Sequence, residues 1–182
     1  GKTEAYLLVA AYEIFRRRLE WKEFGAGTSV ITRYTYRFLT ADQFIRTSRL
    51  ICAMEKIRSS NKDKLGSEKI SLGLYVGGEL TPNRLRSNQK GKDAIDIYDK
   101  IINSEDPKVD GSKFQITECP YCGTALLPNR KPESRETNLN AGYGFKVDET
   151  SMDIACPNKK CFFYGENGGL PLYVVDEVIY DK

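Results

Sequence analysis

Three residues at the start of this chain, Gly1-Lys2-Thr3, have the form of the last positions of a phosphate-binding loop. In the full loop, G-x-x-x-x-G-K-[ST], the Lys reaches the outer phosphates of a nucleotide and the Ser or Thr hydroxyl holds Mg²⁺. An amphipathic helical pattern follows at once, and phosphate is stabilised at helix N-termini. We therefore predict that Lys2 contacts the outer phosphates of ATP and that Thr3 contacts Mg²⁺, in a sequence that lacks the preceding glycines. A chance tripeptide or a cloning remnant is the alternative.

Five cysteines form two close pairs and a singleton. The pairs are Cys119-Pro-Tyr-Cys122 and Cys156-Pro-Asn-Lys-Lys-Cys161, and this C-x₂₋₄-C spacing places two thiolate ligands on one tight turn. Because two such turns supply all four ligands of tetrahedral Zn²⁺ and leave no position open for water, we predict a structural zinc site. Free or disulfide-bonded cysteines are the alternative, and iron would also fit four sulfurs. The singleton, Cys52, is predicted to be a core residue.

A loop rich in Arg, Tyr and Thr is a candidate for contacts with phosphates and sugars. It follows a predicted strand, leads into a predicted helix and includes Arg33, Tyr34, Thr35 and Arg37. A plain loop with solvated arginines and packed aromatic rings explains the same residues.

Two later segments carry weaker chemical indications. Gly77-Gly78, shortly before Thr81, would let a backbone approach a ligand closely, although a plain turn explains the glycines equally well. Asp176-Glu177 follows an apolar run, as in a Walker B strand whose Asp holds Mg²⁺. The apolar residues after this pair, however, favour a strand end or a β-hairpin.

The composition excludes several kinds of chemistry. The 182 residues include no His, which removes Ser/His and Cys/His nucleophilic sites as well as His metal ligands. No apolar run is long enough for a transmembrane helix, so no membrane association is expected. The net charge of +3 permits nucleic-acid binding without arguing for it. Paired cysteines without a secretory signal favour a reducing, cytoplasmic location.

Alternating helical and strand patterns predict an α/β fold with a largely parallel sheet. The predicted helices cover residues 3–20, residues from a capping box at Thr40 and Gln43 to Ser59, and residues 93–103. The predicted strands cover residues 28–34, 70–76 and 170–180. In the first helix the apolar residues at helical spacing are Ala5, Leu8, Ala11 or Tyr12, Phe15 and Leu19. The second helix is predicted to bury Phe44, Thr47, Ile51, Met54 and Ile57. The chain becomes turn-rich, without a helical period, near Phe114.

The order of these motifs resembles that in the first motor domain of DISARM-type anti-phage helicases and, more broadly, of superfamily-two helicases with a cysteine-rich insertion. The segments that carry the resemblance are GKTEAYL, RYTYRFLTADQFIRTSRLICAMEKIR, LGLYVGGELTPN, CPYCG, CPNKKC and LPLYVVDEVIY. They cover nearly the whole chain. The resemblance implies a partial RecA-like P-loop domain over residues 1–113, an inserted four-cysteine zinc ribbon over 114–165, and a strand returning to the motor domain over 166–182.

The resemblance also implies a role for each motif. ATP would be bound by Gly1, Lys2, Thr3 and Glu4. The backbone of a nucleic-acid strand, DNA more than RNA, would be bound by Arg33, Tyr34, Thr35, Arg37, Gly77, Gly78 and Thr81. Phage-defence proteins are expected partners, and the DExH/D motif is expected past Lys182. The chain by itself is expected to be inactive as an ATPase, because hydrolysis needs the loop glycines, that motif and a second motor domain.

Two other functions stay open at the level of sequence. One is a non-enzymatic zinc-ribbon module that binds nucleic acid or a protein partner, and a glycine-rich turn immediately before Gly1 would argue against it. The other is a different P-loop enzyme such as a nucleotide kinase. The closed metal site and the lack of an Arg-rich lid speak against the kinase.

Overall fold

The structure is a computed structural model that describes residues 2–33, 37–78, 80–87, 92–132, 136–165 and 168–180, with the backbone alone for 37–41 and 180. The chain divides into two compact units, Gly1–Leu72 and Gly73–Lys182. No helix within these described ranges is both long enough and apolar enough to cross a membrane.

The first unit is helical. Its helices are α1 (Lys2–Trp21), a 3₁₀ helix (Lys22–Gly25), α2 (Arg37–Ser59) and α3 (Lys62–Leu65). The two long helices are confirmed, but α2 starts before Thr40, so the predicted N-cap at Thr40 is wrong. The predicted strand over 28–34 is also wrong for residues 28–33, which are irregular, and Tyr34 lies outside the described residues. Ile31 in this segment is 86% exposed, and a β-branched residue favours a strand only where it packs on a half-buried sheet.

The core of the first unit forms where α2 packs on the middle of α1. Its buried residues are Ile51, Met54 and Ile70, with Ala11, Ile14, Phe15, Leu50 and Leu72 packed against them. The predicted burial of Ile51 and Met54 is therefore confirmed. Of the apolar residues at helical spacing in α1, Ala11 and Phe15 pack on this core, whereas Leu8 and Leu19 are 71% and 60% exposed.

A buried ion pair organises the end of the first unit. Arg58 donates two hydrogen bonds to the Glu55 carboxylate, at 2.7 and 2.8 Å, and both residues are almost fully buried. The Arg58 guanidinium also donates to the Gly66 and Ser67 carbonyls, and the Ile70 N–H donates to Glu55 at 2.8 Å. The pair thus fixes the turn after α3 onto α2.

The second unit mixes short helices with short strands. Its elements include α4 (Ala94–Asn103), α5 (Pro107–Asp110), β2 (Phe145–Val147), β3 (Met152–Ile154), β4 (Leu172–Tyr173) and α6 (Asp176–Tyr180). Strand β1 (Leu72–Gly73) leads into it, and the Leu74 N–H donates to the Tyr173 carbonyl at 2.9 Å. Asp93 caps α4 by accepting from the Asp96 N–H, which confirms the helix predicted there.

The chain after β4 turns into a helix where the sequence predicted a continuous strand. The N–H groups of Asp176 and Glu177 donate to the carbonyls of Pro82 and Asn83, which bends the chain into α6. The predicted strand over 170–180 is therefore right only for Leu172–Tyr173. The described residues form two two-stranded sheets within a mixed helix and strand fold, without the larger parallel sheet that alternation predicted.

Candidate metal centre

Four thiols of the second unit come together at one point. The Sγ atoms of Cys119, Cys122, Cys156 and Cys161 all lie within 4.8 Å of one another. The closest pairs join the two cysteine turns, with 3.5 Å between the sulfurs of Cys122 and Cys156 and 3.9 Å between those of Cys119 and Cys161. A disulfide would require about 2.05 Å. The four residues are therefore separate thiols gathered around a common centre.

The first pair lies on a tight turn that the backbone closes. The Gly123 N–H donates to the Cys119 carbonyl at 2.8 Å, and the Cys119 N–H donates to the Thr124 carbonyl at 2.8 Å. Gly123 has a φ of +76°, in the left-handed region that glycine adopts without strain. The sequence Cys-Pro-Tyr-Cys-Gly thus aims both thiols to the same side.

The second pair lies on a longer turn that backbone hydrogen bonds also close. The Cys161 N–H donates to the Asn158 carbonyl at 2.8 Å, and the Cys156 N–H donates to the Phe163 carbonyl at 2.9 Å. The Phe163 N–H also donates to the Cys161 sulfur at 3.4 Å. The Phe163 ring packs edge-on against Tyr121 of the first turn, with 5.4 Å between the ring centroids.

The hairpin formed by β2 and β3 connects the two turns. The strands are antiparallel, with Phe145 opposite Ile154. Just outside the strands, the Gly144 N–H donates to the Leu126 carbonyl and the Ala155 N–H donates to the Gly144 carbonyl, each at 2.7 Å. A Cβ on Gly144 would lie 2.4 Å from the Ala155 carbonyl oxygen, so only glycine fits. The residues between the cysteine pairs therefore set the distance between them.

The four thiols differ in how easily they lose their protons. Burial raises the pKa of Cys119 to about 12 and raises that of Cys156 as well. At Cys122, burial has the same tendency, but hydrogen bonds from Thr124 and from the neighbouring cysteines outweigh it and lower the pKa to about 7. A bound cation would favour the thiolate at every position, because a coordinating thiol is deprotonated outright.

The donor set fits a tetrahedral metal ion. With a Zn–S bond of about 2.3 Å, sulfurs at the corners of a tetrahedron are about 3.8 Å apart, close to the 3.5 and 3.9 Å observed. Three ligands are buried and Cys122 is exposed, so the centre lies at the edge of the unit. Because the cysteines fill every coordination position, such an ion would hold the fold together and would not activate water.

Thr124 supports the centre and was not singled out by the sequence. Its hydroxyl lies 3.2 Å from the Cys122 sulfur and 3.4 Å from the Asn158 amide nitrogen, so it touches both turns. A Thr directly after Cys-x-x-Cys-Gly is the signal that could have identified it. Residues that orient a metal ligand affect affinity even though they do not touch the ion.

We expect Thr124→Val to weaken metal binding about tenfold while the four ligands stay in place. The valine keeps the shape of the side chain and removes the hydroxyl that contacts Cys122. Competition for Zn²⁺ between the protein and a chromophoric chelator measures the change. Thr150→Val, which removes a hydroxyl bonded to Asp148, is the matched control and should leave the affinity unchanged; equal affinities for both variants would contradict the role of Thr124.

The predicted nucleotide-binding residues lie at the start of the first unit. Lys2 is exposed, Thr3 is half-buried and Gly1 lies outside the described residues. The Glu4 carboxylate accepts a hydrogen bond from Arg46 at 2.9 Å. These positions leave the assignment of Lys2 and Thr3 to ATP as a prediction.

The residues predicted to bind nucleic acid are only partly described. Tyr34 and Thr35 lie outside the described residues, Arg37 is described by its backbone alone, and Arg33 is exposed. In the second unit the Leu80 N–H donates to the Gly77 carbonyl at 3.1 Å, which closes a turn around Gly78. A Cβ on Gly78 would press on the Asn83 side chain. Thr81 is buried beside this turn.

The comparison of the whole chain with known proteins gives one informative match. The chain is 35% identical over 187 aligned residues to the DISARM protein DrmA of Bacillus paralicheniformis. All of the chain takes part, whereas it spans only 15% of the length of that relative. This similarity supports the DISARM family as its origin. No protein-family model and no solved structure matches the chain.

Proposed function

We propose that this chain belongs to an ATP-dependent nucleic-acid helicase or translocase that acts in bacterial phage defence, on DNA more than on RNA. The observation that carries the proposal is the similarity to DrmA along the entire chain, 35% in identity, rather than in one motif. Phage defence follows from the name of that relative. The motor activity follows from the Gly-Lys-Thr motif and the segments that resemble superfamily-two helicases.

Within this proposal each group of predicted site residues has a distinct task. Lys2 and Thr3 would bind the phosphates of ATP and Mg²⁺ at the N-terminus of α1, where the helix dipole favours anions. Arg33 and the turn around Gly78 would contact the phosphate backbone, which makes binding tolerant of sequence and sensitive to salt. The four cysteines would hold Zn²⁺ and fix the insert between these motifs.

The environment of Asp176 adds support for a second metal-binding position. The chain reaches Asp176 from an apolar run and leaves it in α6, so the objection that a strand continues through this position no longer applies. Asp176 is 6% exposed, and within the described residues its Oδ1 has no hydrogen-bond partner. Burial raises the pKa of this carboxyl, and a cation would offset that penalty. We propose Asp176 as a cation-binding carboxylate that is distinct from the DExH/D motif implied by the helicase resemblance.

The proposal predicts ATP hydrolysis by the full-length protein that single-stranded DNA stimulates. Lys2→Ala is expected to reduce this turnover at least a hundredfold, because the lysine charge stabilises the transferring phosphoryl group. Steady-state phosphate release with and without DNA measures the effect. Lys22→Ala changes an exposed lysine of the 3₁₀ helix that follows α1. It is the matched control and should retain wild-type turnover. If the wild type is folded and zinc-loaded but hydrolyses no ATP, the proposed motor activity is refuted.

The clustering of the four cysteine thiols also suits one alternative function. This alternative is a zinc-ribbon module that binds nucleic acid or protein without hydrolysing ATP. Lys159 and Lys160 are exposed on the second cysteine turn, and Tyr121 is partly exposed on the first. A basic surface with an aromatic ring suits a single strand. Binding of DNA by the full-length protein without ATP turnover would select this alternative.

A further inference from the structure

A small cavity in the second unit is lined by a buried hydroxyl that has no hydrogen-bond partner among the described residues. The cavity has a volume of about 90 Å³ and is lined by Gly78, Leu80, Thr81, Pro82, Lys92, Ile97 and Lys113. One water needs roughly 10–15 Å³ of such space. The cavity therefore accepts a group of several heavy atoms.

This hydroxyl belongs to Thr81. Its side chain is 2% exposed, and among the described residues its Oγ1 has no hydrogen-bond partner. Leaving a buried hydroxyl unsatisfied is unfavourable, so native structures give such groups a partner or a ligand. Because Thr81 lines the cavity, a ligand there can accept a hydrogen bond from its hydroxyl.

Two lysines set the charge of that ligand. Lys92, just before the N-cap of α4, and Lys113, on the 3₁₀ helix Gly111–Phe114, both line the cavity, and no ion pair joins either one to another described residue. The nearest acidic neighbour in the chain, Asp93, is engaged elsewhere, since its two oxygens accept from the Ser87 and Asp96 N–H groups at 2.8 Å. The lining thus offers two cations and a hydroxyl donor.

The walls of the cavity are fixed by bonds within the same unit. Gln115 donates from its side-chain amide to the Leu80 carbonyl at 3.1 Å, and the N–H groups of Ala94 and Ile95 donate to the Arg84 and Leu85 carbonyls. These bonds hold the segment of Thr81 against both the start of α4 and the residues after Phe114. The donors are therefore placed before any ligand arrives.

We infer that this cavity is a phosphate-binding site in which Thr81 donates through its hydroxyl and Lys92 and Lys113 supply the charge. The ionised oxygens of a phosphate accept hydrogen bonds, which matches a lining of donors, and the compact ammonium group of Lys binds phosphate as a point charge. The phosphate belongs either to a nucleic-acid strand, in which case the inference rests on the proposed function, or to a free phosphate compound. Lys92 and Lys113 then determine how tightly the Gly77–Thr81 turn holds its ligand.

The test compares the full-length wild type with Lys92→Ala/Lys113→Ala and Thr81→Val in binding to a fluorescent thymidine oligonucleotide at several salt concentrations. The double variant is expected to bind about tenfold more weakly, and its salt dependence, as a slope of log K against log salt, should be smaller by about 0.7, the value for one phosphate of a single strand. Thr81→Val should weaken binding several-fold with an unchanged slope, because it removes a hydroxyl and no charge. Lys146→Ala, an exposed lysine of β2 outside the cavity, is the matched control and should bind as the wild type does.

The outcomes separate the site from the proposed function. If the wild type binds the oligonucleotide and the double variant has the same affinity and slope, the inference is overturned while the proposed function stands. If the wild type does not bind DNA, ³¹P line broadening of inorganic phosphate decides: broadening that the double variant abolishes supports the site with a free phosphate ligand. Absence of both signals in the wild type overturns the site.

Discussion

Cys156→Ser is expected to abolish stoichiometric zinc binding and to unfold the part of the second unit that lies between the two cysteine turns. Cys156 is fully buried, and its thiol faces the other three sulfurs at the centre of this region. A serine oxygen is a poor fourth ligand in a sulfur site, since soft thiolates are what selects Zn²⁺ there. Structural zinc contributes about 10–16 kcal/mol in small zinc domains, which exceeds the stability of most domains.

The large effect follows from how little else holds these residues. The hairpin between the turns has only three residues in each strand. An isolated two-stranded hairpin is at best marginally stable in water. The aromatic contacts of Phe163 with Tyr121 and of Phe114 with Phe145 add packing that depends on the same geometry. Loss of the ion would therefore release both turns together.

Metal analysis after dialysis measures the stoichiometry, and amide hydrogen exchange over residues 114–165 measures the unfolding. Cys52→Ala is the matched control, because Cys52 is equally buried but lies on α2 in the first unit, outside the cluster. It should keep one zinc per chain. A Cys156→Ser variant with full zinc and unchanged exchange would show that the four thiols do not form the site.

The metal centre was predictable because its determinants are local. Each cysteine pair lies on one turn, and spacing alone places two thiols on the same side. The position of Thr124 directly after Cys122-Gly123 could have indicated its contact with Cys122. Its contact with Asn158 was not predictable, because it joins residues that are distant in the sequence. Val30 and Ile31 show the opposite failure: their β-branched side chains predict a strand, but the described residues give them no sheet on which to pack.

Charged residues show the same limit of sequence patterns. Arg16, Arg17 and Arg18 look alike as the basic end of α1, yet Arg16 forms surface ion pairs while Arg18 is 4% exposed. Burial lowers the pKa of Arg18, and its guanidinium donates to the Lys69 carbonyl at 3.3 Å. Which arginine is buried depends on the turn that packs over it. Helical periodicity identifies the apolar face of a helix, but it does not predict which other segment of the chain packs against the helix.

Arg58→Met is expected to lower the free energy of unfolding of the first unit by about 3–5 kcal/mol, the cost of leaving one member of a buried ion pair without the other. The Glu55 carboxylate would keep its bond from the Ile70 N–H and lose both bonds from Arg58. The Gly66 and Ser67 carbonyls would lose their donor as well. The hydrogen bonds that Arg58 donates to Glu55 raise the pKa of Arg58, so its guanidinium stays charged in the buried pair.

Denaturant unfolding followed by the fluorescence of Trp21 measures this change, because Trp21 is the single tryptophan of the chain and lies in the first unit. Arg16→Met is the matched control. Arg16 pairs with Glu13 and Glu20 on the surface, with 40% of its side chain exposed, so its loss should cost far less stability than the loss of Arg58.

A second variant tests whether the unpaired Glu55 carboxylate causes the loss of stability. Glu55→Gln combined with Arg58→Met removes the buried carboxylate charge and keeps an acceptor for the Ile70 N–H. This double variant should be more stable than Arg58→Met alone, because replacing both charges avoids the desolvation penalty that one remaining charge incurs. If Arg58→Met costs no more than Arg16→Met, the pair does not hold the turn after α3, and the apolar contacts of Ile51, Met54 and Ile70 alone position it.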